Sequence, residues 1–171
     1  MTKADFLRWE SDDNYVYEFN NGVLEPTTGM RQDENYLLSL ENQFFKTSAF
    51  QNGWRMRAEM DSWLLDEQMR RPDVSFFTSE QLQQMNSDTR VVPKFVIEFA
   101  SNSDTDLKTI TKRHEYFAAG VQVLWWVYPS YQEVYMYTSP KTVTICTDED
   151  VLSAAPAIPE LQMTVAELFR R

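Results

Sequence analysis

Hydrophobic residues recur along this chain at two spacings, which separate its predicted helices from its predicted strands. Between residues 36 and 45 the apolar side chains share one helical face, and this pattern predicts an amphipathic helix from about Asp33 to Ala49. A second helix is predicted over Lys108–Ala119, ending at Gly120, a residue type that readily adopts the left-handed conformation of a helix cap. Short helices are also predicted at 2–9, 79–85 and 164–169.

Strands are predicted where apolar residues alternate with polar ones or run together over a few positions. Phe95–Ala100 is apolar on both faces apart from one glutamate, which is typical of a central strand in a buried sheet, and Val121–Val127 has the same character. The other predicted strands are 15–19, 23–25, 54–58, 62–65, 73–77, 133–137 and 142–145. These elements predict a mixed sheet flanked by helices, an α/β (α+β) fold.

The composition favours a globular protein with one domain spanning residues 1–171. Hydrophobic residues make up 43% of the chain and aromatic residues 14%, which is enough for a substantial core. The single cysteine, Cys146, excludes an internal disulfide and is expected to be a small buried side chain. With no signal-like N-terminus and no run of about 18 apolar residues, we expect a soluble cytoplasmic protein that does not enter a membrane.

The net charge of −10 argues against unspecific binding to nucleic acid, because an acidic surface repels a polyanion. The charge is unevenly distributed. Residues 1–69 carry 13 acidic and 6 basic side chains, and residues 148–171 carry 5 and 2, whereas residues 70–147 carry 8 of each. The central, neutral segment is therefore the part of the chain that could best approach an anionic substrate.

Two carboxylates in this neutral segment are the main candidates for chemistry. Asp73 stands at the start of one predicted strand and Glu98 lies inside the next, separated by 25 residues. A buried, unpaired carboxylate would cost several kcal/mol, so that Glu98 requires a partner. A divalent cation such as Mg²⁺ or Mn²⁺ is one candidate partner, since it binds paired carboxylates and completes its shell with water and phosphate. The alternative is that Asp73 merely begins a strand and Glu98 pairs with a buried Arg or Lys.

Other polar residues have simpler interpretations when they are taken alone. Strand alternation places Glu18 opposite its aromatic neighbours, which predicts an exposed side chain. Lys108 and Lys112 share a helical face, and Lys112 could form a surface pair with Glu115. If Lys112 instead faces Glu98, Arg113 and Glu115 are expected to point elsewhere. His114, the only histidine, is predicted to be structural or exposed, which excludes a histidine-rich metal site or a catalytic triad.

Six short segments that are spread over nearly the whole chain carry a family resemblance when they are taken together and in order. They are YEFNNGVLE (17–25), RPDVSFF (71–77), PKFVIEFASNS (93–103), KRHEYFAAGV (112–121), WWVYP (125–129) and PELQMTVAELF (159–169). In order and spacing they resemble the Uma-two (Uma2) family of restriction-endonuclease-like proteins, within the PD-(D/E)XK nuclease superfamily. The resemblance implies a restriction-endonuclease-like core with a mixed, mostly antiparallel sheet between helices.

The resemblance also implies roles for individual residues. Asp73 matches the motif aspartate and Glu98 the motif acid, so that both are implied to hold Mg²⁺ or Mn²⁺. Ala100 stands where the superfamily usually has lysine, and Lys112 on the following helix matches the relocated lysine of this family. Glu18 matches an early family glutamate, which favours a site role for it over an exposed position. The implied activity is metal-dependent endonucleolytic hydrolysis of DNA phosphodiester bonds by Glu18, Asp73, Glu98 and Lys112.

Three departures from the family pattern keep other functions open. Lys108 stands where the family often has aspartate, with Asp106 nearby, and Tyr128 replaces an aspartate of the W-x-V-D-P segment. A family histidine is replaced near Glu34 and Asn35. The alternatives are a catalytically inactive nuclease-fold binding or interaction protein, and a structural domain with buried ion pairs. The DNA preference and the presence of a homodimer stay open.

Overall fold

A computed structural model describes residues 1–27, 36–85, 89–101 and 104–170. The helices in these ranges are α1 (Lys3–Phe6), α2 (Tyr36–Phe44), α3 (Ser48–Gln51), α4 (Ser79–Gln84), α5 (Asp106–Ala119) and α6 (Val165–Leu168). The strands are β1 (Val16–Asn20), β2 (Val23–Thr27), β3 (Arg55–Ala58), β4 (Ser62–Leu65), β5 (Gln68–Arg70), β6 (Val74–Phe77), β7 (Phe95–Phe99), β8 (Val123–Tyr128), β9 (Glu133–Ser139), β10 (Thr142–Thr147), β11 (Val151–Ala154) and β12 (Ile158–Thr164).

The largest sheet has six strands in the order β10-β9-β8-β7-β6-β3. Its pairs are antiparallel except for β7 and β8, which are parallel because helix α5 forms the crossover between them. The two continuously apolar strands, β7 and β8, occupy the centre of this sheet, as their sequences predict. The mixed, mostly antiparallel sheet flanked by helices is therefore confirmed.

Side chains of β7 alternate between two hydrophobic clusters, and the alternation decides which face carries Glu98. Phe95, Ile97 and Phe99 pack in a core that includes residues of α2, β12 and α6. Val96 faces the other way, against Tyr116 of α5. Glu98 shares the face of Val96, so that its carboxylate lies on the side of the sheet covered by α5.

A second sheet has four strands in the order β2-β1-β5-β4. Its β1–β2 hairpin turns at Asn20–Gly22, and its register places Glu18 opposite Glu25. Strand β5 pairs with β1 on one side and β4 on the other. This sheet brings the N-terminal hairpin and Arg70, the last residue of β5, to the face of the larger sheet that carries Glu98.

Several predicted elements differ from the observed ones for local reasons. The predicted helix 33–49 is too long at its C-terminal end: α2 ends at Phe44, and the Thr47 side chain accepts a hydrogen bond from the Phe50 amide to begin α3. The predicted start at 33–35 lies outside the described residues. Strands β5, β11 and β12 were not predicted, because β5 is only three residues long and the other two carry mixed patterns without regular alternation.

Cys146 is buried and free, as expected of a small core side chain. Among the residues described, none of the helices combines the length and the apolar character needed to span a bilayer.

Candidate active site

The pairing of β6 with β7 places Asp73 beside Glu98. Val74 is opposite Ile97 in this antiparallel pair, so that the preceding Asp73 is opposite Glu98. Asp73 Oδ2 accepts a hydrogen bond of 2.7 Å from the Phe99 amide, and its carboxyl group is also within hydrogen-bonding reach of Glu98. The two carboxylates therefore lie on the same face of the sheet, as the sequence predicts.

The pKa values of both carboxyl groups are raised above their usual range. Burial and the neighbouring Glu98 raise the pKa of Asp73 to about 8. Burial also raises the pKa of Glu98, against the opposing effect of Lys112. Since two nearby buried carboxylates cannot both ionise easily, the pair retains a proton near neutral pH unless a cation replaces it.

Helix α5 supplies the lysine that the family resemblance implies. Lys112 Nζ donates a hydrogen bond of 3.0 Å to Glu18 Oε1 and lies 3.7 Å from Glu98 Oε1. Although burial lowers the pKa of Lys112, Glu98 and Glu18 raise it by more, so that the ammonium stays charged. Glu18, Asp73, Glu98 and Lys112 thus line one cleft, with a volume of about 290 Å³.

Glu18 is buried, and the exposed position predicted from strand alternation is wrong. Its Oε1 accepts hydrogen bonds from Lys112 Nζ and from the Arg71 amide at 2.9 Å, and its Oε2 accepts from Arg70 at 2.9 Å. The face of β1 that alternation assigns to solvent is covered instead by α5 and Arg70. Protein donors contact both of its oxygens, so that Glu18 holds Lys112 beside Glu98.

Arg70 is a central residue of the site that the sequence did not reveal. It is 1% exposed. Its Nη1 contacts Glu18 Oε2 and, at 2.6 Å, Glu25 Oε2, while Nε and Nη2 form a paired contact of 2.8 and 3.1 Å with Glu115. No local pattern marks Arg70, because the carboxylates that it contacts lie 45 or 52 residues away in the sequence.

The contacts of Arg70 also correct the interpretation of α5. Glu115 does not form a surface pair with Lys112; it pairs with Arg70. As expected if Lys112 faces Glu98, Glu115 points away from Glu98, toward Arg70. Arg113 also points elsewhere, over the ring of Tyr137 at 5.1 Å, and His114 is exposed as expected.

Tyr116 is a second residue that sequence analysis missed. It follows Lys112 by one helical turn and is completely buried. Its hydroxyl donates a short hydrogen bond to Glu98 Oε1, the same oxygen that Lys112 approaches. Its aromatic character suggested only core packing, because a tyrosine in an apolar helix face gives no signal of a polar partner.

The donor set fits a divalent cation held by two carboxylates. Within the described ranges, no group of three or more His, Cys, Asp or Glu side chains is arranged to hold a metal ion. Mg²⁺ needs only one or two protein carboxylates, since water and substrate phosphate complete its shell. The charges that line the cleft are nearly balanced, with Glu18, Glu25, Asp73, Glu98 and Asp104 against Arg70, Arg71, Lys108 and Lys112. The fit of a cation therefore depends on the close approach of Asp73 and Glu98, whose mutual repulsion a cation would relieve.

Comparisons with known proteins agree with this architecture. The model of the Uma2 family, described as "Putative restriction endonuclease", matches residues 4–166. The crystal structure of "a putative nuclease belonging to DUF820 from Anabaena variabilis ATCC 29413" is similar in fold, with a TM-score of 0.78 and 18% sequence identity over 99% of this chain and 97% of that one. A DrdV–DNA complex studied by cryoEM gives a TM-score of only 0.38, at 17% identity, over 66% of this chain and 12% of that one. No curated protein matches this sequence.

Proposed function

The chain belongs to the Uma2 family, and from this premise we propose that it is a metal-dependent endonuclease that hydrolyses DNA phosphodiester bonds. The observation that best supports the proposal is the Asp73–Glu98 pair on one face of the sheet, half-buried at Asp73 and buried at Glu98, with Lys112 Nζ 3.7 Å from Glu98. Hydrolysis joins a water oxygen to phosphorus and breaks the bond to one ester oxygen. One proton of the water passes to the departing alkoxide, which leaves as a hydroxyl, and the other passes from the new phosphate group to solvent.

Asp73 and Glu98 would hold the Mg²⁺ or Mn²⁺ ion. When bound, such an ion polarises the scissile phosphate and lowers the pKa of a water molecule. Glu98 is buried and Asp73 is half-buried, so that a cation would interact with them more strongly than with carboxylates at the surface. Binding of the ion would release the proton that the pair otherwise retains.

Lys112 would stabilise the negative charge that develops on the phosphate oxygens. Its side chain is 21% exposed, so that the ammonium is held by Glu18 while remaining accessible from the cleft. A cation fixed in advance of the reaction needs little reorganisation, which is why such groups stabilise transition states efficiently. Arg70 supports this arrangement indirectly, since it fixes Glu18 through Oε2.

The proposed DNA contacts are mainly to phosphate. Lys108, one turn before Lys112, lines the same cleft and is exposed. Contacts to the phosphate backbone carry no sequence information by themselves and weaken as salt increases. We therefore expect DNA binding to be salt-sensitive.

Cleavage assays on plasmid and single-stranded DNA with Mg²⁺ or Mn²⁺ test the proposal. Lys112→Ala should slow cleavage by about a hundredfold or more, the effect typical of removing a positioned electrostatic stabiliser. Asp73→Asn should abolish metal-dependent cleavage. Lys141→Ala removes an exposed lysine from the turn before β10 and is the matched control, which should cleave like the wild type. Undiminished cleavage by Lys112→Ala would remove this residue from the mechanism.

The second candidate function is a nuclease-fold binding or interaction protein without turnover. The net charge of −10 and the engagement of Lys112 with Glu18 favour it. It predicts that the wild type cleaves no nucleic acid with any divalent metal. That outcome would replace the endonuclease proposal.

A further inference from the structure

Glu98 receives its donors from α5 on a single oxygen. The Tyr116 hydroxyl donates to Oε1, and Lys112 Nζ lies 3.7 Å from the same atom. Lys112 and Tyr116 are four residues apart on α5 and so share one helical face. The helix therefore directs a neutral donor and a cation at the same edge of one carboxylate.

The two donors do not hold Glu98 equally. At 3.7 Å, Lys112 is beyond ordinary hydrogen-bonding distance of Glu98, whereas its contact with Glu18 is 3.0 Å. Tyr116 is completely buried and cannot turn its hydroxyl to solvent, so that Glu98 is its natural acceptor. The tyrosine is thus the nearer of the two groups that approach Glu98 Oε1.

Asp73 has a similar division between its two oxygens. Its Oδ2 accepts the Phe99 amide hydrogen bond. Apart from the contact between the two carboxyl groups, the described residues supply no hydrogen-bond donor to Asp73 Oδ1 or Glu98 Oε2. Each carboxylate is therefore anchored by one oxygen to the protein, and the other oxygen remains for a ligand.

We propose that Tyr116 is a positioning residue for the cation site. By holding Glu98 Oε1, it prevents Lys112 from closing onto Glu98 and leaves Oε2 for a divalent cation beside Asp73. This inference rests on the proposed function, because it presumes that Asp73 and Glu98 bind the ion. Tyr116 acts through Glu98 and does not contact the substrate.

Mn²⁺ binding, measured by titration calorimetry without DNA, tests the role of the hydroxyl. Tyr116→Phe keeps the buried ring and removes only the donor, and it should weaken Mn²⁺ binding by about 10- to 100-fold, as loss of a hydrogen bond to a metal ligand typically does. Tyr137→Phe removes the hydroxyl of another buried tyrosine, on β9, and should bind as the wild type does. Unchanged affinity in Tyr116→Phe would overturn the proposal.

A second Mn²⁺ titration asks how the Tyr116 hydroxyl acts. It distinguishes keeping Lys112 away from Glu98 from merely holding the Glu98 carboxylate in place. In a Lys112→Met background no ammonium can compete for Glu98, so that adding Tyr116→Phe should weaken Mn²⁺ binding by less than about threefold. An equal loss in both backgrounds would overturn the proposed exclusion of Lys112.

Two non-natural residues keep the test valid if Tyr116→Phe fails to fold. At position 116, 4-aminophenylalanine retains a donor of similar size, whereas 4-methylphenylalanine fills the same space without one. The first should restore wild-type affinity and the second should not; equal affinities would contradict the inference. If the wild type and Asp73→Asn bind Mn²⁺ equally, the proposed metal site itself is wrong and the role of Tyr116 falls with it.

Discussion

Arg70 offers the clearest test of how this site is stabilised. It is the shared cation for Glu18, Glu25 and Glu115, and its side chain and that of Glu18 are only 2% and 3% exposed. Arg70→Met keeps much of the side-chain volume, but it leaves Glu115 without its cation and Glu18 with Lys112 alone. Removing one partner of a buried ion pair typically costs about 3–5 kcal/mol, because the remaining charge is buried without compensation.

The three pairs do not contribute equally to this estimate. Glu25 is 35% exposed, so that solvent screens its contact, whereas Glu115 is 13% exposed and makes a paired contact that only a guanidinium can supply. Most of the loss therefore arises from Glu115, since Glu18 keeps its contact with Lys112. For a chain of this length, about 3–5 kcal/mol corresponds to a fall of roughly 6–20 °C in melting temperature.

Urea unfolding, followed by tryptophan fluorescence and repeated as a thermal melt, measures the effect. Arg71→Met is the matched control. Arg71 is the next residue along the chain, and it pairs with Asp61 at the surface, where the two side chains are 26% and 46% exposed. Such a pair contributes about 0–1 kcal/mol. The stability of Arg70→Lys should lie between those of Arg70→Met and Arg71→Met, because lysine keeps the charge but cannot form the paired contact with Glu115. Equal stability of Arg70→Met and Arg71→Met would refute the central role of Arg70.

Two further predictions concern pH and backbone conformation. The pKa of Asp73 is raised above its usual 3.8 to about 8 in the folded protein, so that between these values the folded state binds more protons than the unfolded state. The stability of the cation-free protein should therefore fall as the pH rises from about 4 to 8. Thermal melts across this range should show a weaker pH dependence for Asp73→Asn. An identical pH dependence in the variant and the wild type would contradict the raised pKa of Asp73. Gly120 ends α5 with φ +112°, and open space surrounds the position of an added Cβ. Gly120→Ala should therefore lower the free energy of unfolding in urea by about 1–2 kcal/mol through backbone strain alone. A variant as stable as the wild type would show that the cap adapts.

The central strands and the candidate acids could be predicted because each depends on a local signal. A continuous apolar run identifies β7 as a central strand, and one carboxylate inside that run identifies Glu98 as unusual. The role of Lys112 in the site was implied only by the family resemblance. Its contact with Glu18 spans 94 residues of sequence, and no local pattern reports a contact of that kind.

The residues that were missed have roles created by tertiary structure. Arg70 ends a three-residue strand that exists only because β1 and β4 pair with it, so that neither its strand nor its burial could be seen in advance. Glu18 was misplaced for the same reason, since strand alternation cannot indicate that a helix covers the second face. Tyr116 fits a hydrophobic helix face equally well with or without a carboxylate above its hydroxyl.

The long separation between the N-terminal hairpin and α5 has a consequence for synthesis on the ribosome. Glu18 emerges 94 residues before Lys112, and at about 5–20 residues per second this interval lasts roughly 5–20 s. During that time the nascent hairpin cannot complete its charge network, because the helix that covers it has not been made. The cleft is therefore assembled only after the second half of the chain has folded, and shorter nascent chains lack it.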